Sequence, residues 1–125
     1  MTSPAHLVLV VDGANVVGSR PDGWWRDRPG AAARLHAKVV AAELGFDAVV
    51  LVLEGKARPG VAEGLDGVVR TVHAAGHGDD EIVAQARRAR ADGSEVTVVT
   101  ADRELSRRLD DIGARVLGPA WLLNH

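Results

Sequence analysis

The chain has 125 residues, of which 46% are hydrophobic and 26% charged, with no cysteine and a formal net charge of -2. That length and composition fit one globular domain over 1–125. The lack of cysteine excludes disulfides, thiol catalysis and cysteine-ligated metal, and no apolar run nears the roughly 18 residues of a membrane-crossing helix. The slight negative charge argues against binding nucleic acid by bulk electrostatics, so any such contact is a local basic patch. Among its 15 cations only Lys38 and Lys56 are lysines, and the rest are arginines. The opening Met-Thr-Ser-Pro-Ala-His has no basic stretch leading into an apolar one, so the expected location is cytoplasmic.

The first predicted element is a strand, Leu7 to Val11, a short β-branched-rich run buried on both faces, which stops abruptly in Asp12-Gly13-Ala14-Asn15. Gly18 to Gly30 reads as a long loop. Pro29 then opens a helix in which Leu35, Val39 and Leu44 fall at helical spacing, with Gly45 placed as its C-terminal cap. Ala48 to Leu53 is a second strand, ending in Glu54-Gly55. Lys56 to Asp66 reads as a loop and "GVVRTVHA" as a shorter strand. "GDDEIVAQARRARADG" has an acidic first turn and a basic last turn, the charge order a helix dipole favours. "EVTVVTAD" is a strand ending in an acid, "RELSRRLDDIG" a helix ending at Gly113, "ARVLG" a last strand and "PAWLLNH" a final turn of helix. Such alternation builds βαβ units and a mostly parallel sheet, giving a Rossmann-like three-layer α/β/α sandwich of about five strands.

In such a sheet, ligands bind beyond the carboxyl ends of the strands, near the point where strand order reverses. Three predicted strands end there in acids, Asp12, Glu54 and Asp102, and Asp79 and Asp80 open a helix at the same edge. Most have a plainer role open to them: Asp79 and Asp80 as a cap and a first-turn acid, Asp102 as an N-cap, Glu54 as a loop acid. Asp12 resists that treatment, because a carboxylate following five buried residues is costly to desolvate unless it is paired or binds a metal. Converging carboxylates repel and raise one another's pKa, and with no lysine local to them a divalent cation is the natural compensation. An oxygen-only ligand set favours Mg²⁺ or Mn²⁺ over Zn²⁺. His73 and His77 would share a face only on a helix, which Gly76 and Gly78 oppose, so they read as solvated or capping residues.

"VVDGANVV" resembles the opening motif of the NYN branch of PIN-like nucleases, "GDDEIV" the acidic helix start of that group, and "VVTADREL" its strand-end T-x-D signature. The order and spacing are similar to those of the YacP-like NYN subgroup, from about Leu7 to Leu117. The resemblance implies a PIN-like fold and metal-dependent cleavage of RNA. It makes Asp12 the central metal ligand and Asn15 its polar companion, with Asp79 and Asp102 completing the catalytic site and Asp80 auxiliary. Where relatives commonly carry Phe-Asp-Gly after the second strand, this chain has Leu53-Glu54-Gly55, which leaves the part of Glu54 in coordination open.

Phosphodiester hydrolysis at a Mg²⁺ or Mn²⁺ site needs no side-chain nucleophile, and Gly13 and Gly55 would let a phosphate approach the backbone closely. For the substrate, single-stranded RNA, the segment beside the first acid offers Arg20, Trp24, Trp25, Arg26 and Arg28: indoles for stacking and guanidiniums for phosphates. One tryptophan is expected inside and one outside. Lys56 and Arg58 lie near the proposed site, whereas Arg87, Arg88 and Arg90 read as a solvated helix end. A catalytically silent or partner-controlled RNA-binding module stays open, as does a nucleotide phosphoanhydride hydrolase, although both usual phosphate-loop motifs are missing. A receiver domain fails for want of an Asp at position 54 and of a lysine after the last strand. No membrane partner is expected; a homodimer, the ribosome or another protein partner is left open.

Overall fold

The computed structural model describes residues 5–125. In chain order it contains strand β1 (Leu7–Asp12), helix α1 (Gly13–Gly18), helix α2 (Arg28–Ala41), strands β2 (Ala48–Leu53), β3 (Gly64–Asp66) and β4 (Val69–His73), and helix α3 (Gly78–Ala91). Strand β5 (Glu95–Val99), helix α4 (Arg103–Asp110), strand β6 (Arg115–Leu117) and helix α5 (Pro119–Leu123) follow. All strands join one sheet in the order β3-β4-β2-β1-β5-β6, parallel throughout except for β3.

Alternation along the central strands builds the three layers. Val8, Val10, Val52, Val96 and Val98 pack against Ile82, Val83 and Ala86 of α3 and Leu105 and Leu109 of α4. The intervening Leu9, Val11, Leu51, Leu53 and Val99 pack on the other face against Val16 of α1, Ala32, Leu35 and Val39 of α2, and Leu122 of α5. Because both faces are covered, the strands read as continuous apolar runs. This is the expected α/β/α sandwich. Among the described residues no helix is long and apolar enough to cross a membrane.

Four local expectations are corrected. The sheet has six strands instead of about five: β3 falls where a loop is expected because all three of its residues are exposed, and it pairs with β4 through a turn at Gly67, whose φ is 60°. The rest of the presumed Lys56–Asp66 loop begins as a 3-10 turn, Gly55–Gly60, lying against the start of α2; a Cβ on Gly60 would strike the Pro29 carbonyl. The presumed Gly18–Gly30 loop contains another 3-10 turn, Trp24–Arg26, and the start of α2, where Asp27 accepts from the Gly30 N–H at 2.9 Å. Finally, α2 ends at Ala41 because Ala42 turns extended, so Leu44 packs on the core from the connecting segment and Gly45 caps nothing.

Candidate functional site

Strand order reverses between β1 and β5: the chain fills β2 and β4 on one side of β1, then returns to place β5 on the other. Asp12 ends β1 and Asp102 follows β5, so both sit beyond the carboxyl ends flanking the switch point, where open α/β sheets bind ligands.

Each residue here is tied to the next. Asp12 is the N-cap of α1: its Oδ1 accepts from the Asn15 N–H at 3.3 Å, and its Oδ2 accepts from the Thr100 hydroxyl at 2.9 Å. Thr100, fully buried, accepts in turn from the Asp102 N–H at 3.2 Å. The Asn15 carboxamide oxygen accepts from the Ala101 N–H at 2.8 Å, which pins α1 to the β5–α4 turn. Asp102 caps α4, accepting from the Leu105 N–H at 2.9 Å. Burial pushes the Asp12 carboxyl above its ordinary 3.8; the Thr100 and Asn15 hydrogen bonds oppose the rise, and the negative charges of Glu54 and Asp102 add to it.

Gly13 has a different role from the one expected of it. It is buried, and a Cβ there would lie 2.5 Å from the Val52 carbonyl oxygen, so its lack of a side chain lets α1 start against β2 instead of opening the site to a phosphate. Gly55 is exposed with φ at 55°, a left-handed turn that suits glycine, and it lines the neighbouring cleft.

Glu54 reaches across from the end of β2 and accepts from the Gly78 N–H at the start of α3. A Cβ on Gly78 would come within 2.9 Å of that carboxylate, so the glycine is what admits the contact. Asp79 and Asp80 lie in the first turn of α3, where Arg108 of α4 meets Asp79 at 3.8 Å and Asp80 at 3.0 Å. Asp12, Asn15, Glu54, Asp79 and Asp102 line one cleft of about 280 Å³, together with Ala14 and His77; Asp80 lies outside its lining. Among the described residues no three His, Asp or Glu side chains are drawn together tightly enough to hold an ion as they stand. Their other engagements explain the spread: Glu54 with α3, Asp79 with Arg108, Asp102 with α4. An all-oxygen set of this kind still fits Mg²⁺, which keeps several waters and takes one or two carboxylates.

A larger cleft of about 490 Å³ adjoins the acidic one, shares Ala14, Glu54 and His77 with it, and is completed by Val17, Trp24, Arg28, Gly55, Ala57 and Gly76. The Arg28 guanidinium stands 5.4 Å from the centre of the half-buried Trp24 ring. Trp25 is 49% exposed, packs edge-on against Trp24 at 5.9 Å and carries Arg26 over its own ring. Trp25, Arg26 and the exposed Lys56 line neither cleft, Arg58 turns back to the Gly55 carbonyl, and Arg20 faces Asn124.

Two solved structures have this architecture. A tryptophan-to-leucine mutant of Rae1 (YacP) from Bacillus subtilis superposes with a TM-score of 0.75 at 20% identity, over 94% of this chain and 72% of that one. The unmutated Rae1 (YacP) from the same organism gives 0.72 at 17% identity, over 94% and 71%. The fold is YacP-like. No protein-family model matches the chain, and no curated protein matches it in sequence.

One participant, Arg108, leaves no mark in the sequence pattern, and another, His77, is marked only for a different role. Arg108, the cation beside the α3 acids, sits in "RELSRRLDD" as an ordinary last-turn arginine, and only the packing of α4 on α3 gives it a partner. His77 borders both clefts from the N-cap position of α3, where its reading as a solvated or capping residue places it, although its side chain makes no capping bond. Thr100 is legible, as the first residue of Thr-Ala-Asp at the end of an apolar strand.

Proposed function

We propose that the chain is a metal-dependent ribonuclease of the PIN-like NYN type, hydrolysing phosphodiester bonds of single-stranded RNA in the acidic cleft. The observation that carries the reading is the lining of that cleft, Asp12, Glu54, Asp79 and Asp102 with Asn15, at the switch point of a YacP-like sheet. The resemblance of the three motifs around Asp12, Asp79 and Asp102 to YacP-like nucleases supports it independently. Asp12 is the residue to hold Mg²⁺ or Mn²⁺, with Asp79 and Asp102 at the same cleft; Glu54, already committed to Gly78, and Asp80, to Arg108, are the outer members. When bound, such an ion supplies charge neutralisation on the phosphate and a water made nucleophilic at neutral pH.

The rest of the work belongs to the chain. Thr100 and the Asn15 N–H hold both Asp12 oxygens in fixed directions, so the carboxylate presents one geometry. Asn15 fastens the loop that carries Asp102. Beside the acids, Trp24 with Arg28 over its ring offers an indole for a base and a guanidinium for the adjacent phosphate, with stacking of about 1–3 kcal/mol per base. A second reading, a module that binds RNA without cutting it, draws on the engagement of Asp79 and Asp80 by Arg108.

The test is incubation of purified protein with a mixed single-stranded RNA in Mn²⁺, in Mg²⁺ and in EDTA, beside Asp12→Asn prepared identically. Cutting that requires metal and vanishes in the variant is the expected result. Cutting that survives EDTA or the substitution overturns the assignment, and retention of RNA without cutting selects the second reading.

A further inference from the structure

Resting on the ribonuclease reading, we infer that a third cleft, lined by Arg20, Arg34 and Lys38, is a phosphate subsite for the same RNA strand at a distance from the cut. This cleft of about 220 Å³ lies among α1, α2 and the C-terminal segment and is floored by Val16, Val17, Ala31, Leu35 and Leu123. Three cations converge on it against one carboxylate in the lining, Asp22, in a chain whose overall charge is negative. Among the described residues Asp22 forms an ion pair with none of them. Lys38 gives one hydrogen bond to the main-chain oxygen of the last residue, His125, at 2.8 Å, and Arg20 a long one to Asn124 at 3.4 Å. Both keep donors to spare, since an ammonium has three and a guanidinium five.

Placement on α1 links the three clefts. Ala14 and Asn15 border the acidic cleft, Ala14 and Val17 the tryptophan cleft, and Val16 and Val17 the basic one. Neighbouring clefts share lining residues, Ala14, Glu54 and His77 between the acidic and the tryptophan cleft and Val17 between the tryptophan and the basic one, so they form one continuous run of surface. One strand can therefore lay a phosphate at the acids, a base on Trp24 and a further phosphate between Arg34 and Lys38, where a guanidinium takes two phosphate oxygens at once. The acids repel the backbone wherever no cation screens them, so retention of the strand is shared between the Trp24–Arg28 cleft and this positively charged one.

The test is fluorescence anisotropy in EDTA, so that nothing is cut, with a single-stranded RNA of about 12 nucleotides and a dinucleotide as probes. The proteins compared are the wild type, Arg34→Gln/Lys38→Gln, and Arg87→Gln/Arg88→Gln, which removes equal charge from the exposed end of α3. The cleft variant is expected to bind the longer RNA roughly ten-fold more weakly. Its slope of log affinity against log salt should be shallower by about 0.7 for each phosphate no longer neutralised, while dinucleotide binding stays at the wild-type level. Circular dichroism of all three confirms folding, and Arg34→Gln alone replaces the double variant if that one unfolds. Equal weakening by the α3 variant overturns the subsite in favour of bulk charge, and unaltered affinity and slope overturn it outright. A wild type that holds no RNA in EDTA overturns the subsite alone; the ribonuclease reading falls with it only if metal-dependent cleavage is missing as well.

Discussion

The surroundings of Asp12 and the tryptophan segment face each other across Ala14, yet they are held in opposite ways. Asp12, Asn15, Thr100 and Asp102 form a closed circuit of hydrogen bonds linking β1, α1 and the β5–α4 turn, residues up to 88 positions apart. Trp24 to Arg28 is organised by near neighbours: the Trp24 N–H donates to Asp22, Asp27 caps α2, and two arginines lie over two indoles. The first arrangement fixes a charged group at the edge of the core, where an unsatisfied contact is expensive. The second presents adaptable apolar and cationic surface at low cost. A site that handles a phosphate at one point and a flexible strand beside it needs both kinds of construction.

The comparison breaks most visibly at Asp12. Asp12→Asn is expected to reduce metal-dependent cleavage to background while the protein stays folded. Because burial raises the folded-state pKa of Asp12, the folded chain binds that proton more tightly than the unfolded chain. The stability this contributes is present below about pH 3.8 and is lost as pH rises through the raised value. At neutral pH without metal the ionised carboxylate therefore lowers stability, and Asp12→Asn should melt no lower than wild type in EDTA. Urea titrations from acid to neutral pH check the sign: the variant's advantage grows through that window and then levels off, and a shrinking advantage would contradict it.

On the other side of the comparison, Trp24→Ala should weaken RNA binding by about 1–3 kcal/mol, more than Trp25→Ala does, because Trp24 lines the cleft and Trp25 does not. Each change should raise the RNA concentration needed for half-maximal rate more than it lowers saturated turnover. Anisotropy and steady-state kinetics decide this, and a Trp25 variant that loses as much as the Trp24 variant would move the platform outward.

Smaller effects sharpen the contrast. Thr100→Val removes a buried hydroxyl that serves Asp12 and Asp102 at once, and should cost about 1–3 kcal/mol in denaturant unfolding. It should also push the Asp12 carboxyl further up, since the Thr100 hydrogen bond opposes the rise. Asp27→Ala removes only the cap of α2, at about 1 kcal/mol, and should leave metal dependence untouched. Equal losses from these two substitutions would mean that the circuit around Asp12 is no more rigid than the segment beside it.

Much of the fold is legible in the sequence because the signals are local. A run such as Leu7–Val11 or Ala48–Leu53 is apolar at every position only if both faces of its strand are covered, which already implies helices on both sides of a parallel sheet. The acids at the ends of those runs are equally plain, as are the dipole-matched charges of α3. The weak periodicity of β3 and the six-residue, glycine-bounded α1 leave no such trace, and their existence depends on pairing with β4 and packing on Val52.

The amino-acid sequence by itself determined the layers, the order of the long strands and helices and the edge of the sheet at which the acids gather, because apolar periodicity and helix caps act over a few residues. Only the tertiary structure decided what each acid does there. Glu54 is bound to Gly78, Asp80 to Arg108, and Asp12 is left partly desolvated between Thr100 and Asn15. Partners such as Glu54 and Gly78, or Asp12 and Thr100, lie 24 and 88 residues apart and meet only when the sheet and helices pack, so their charge balance is a property of three-dimensional proximity.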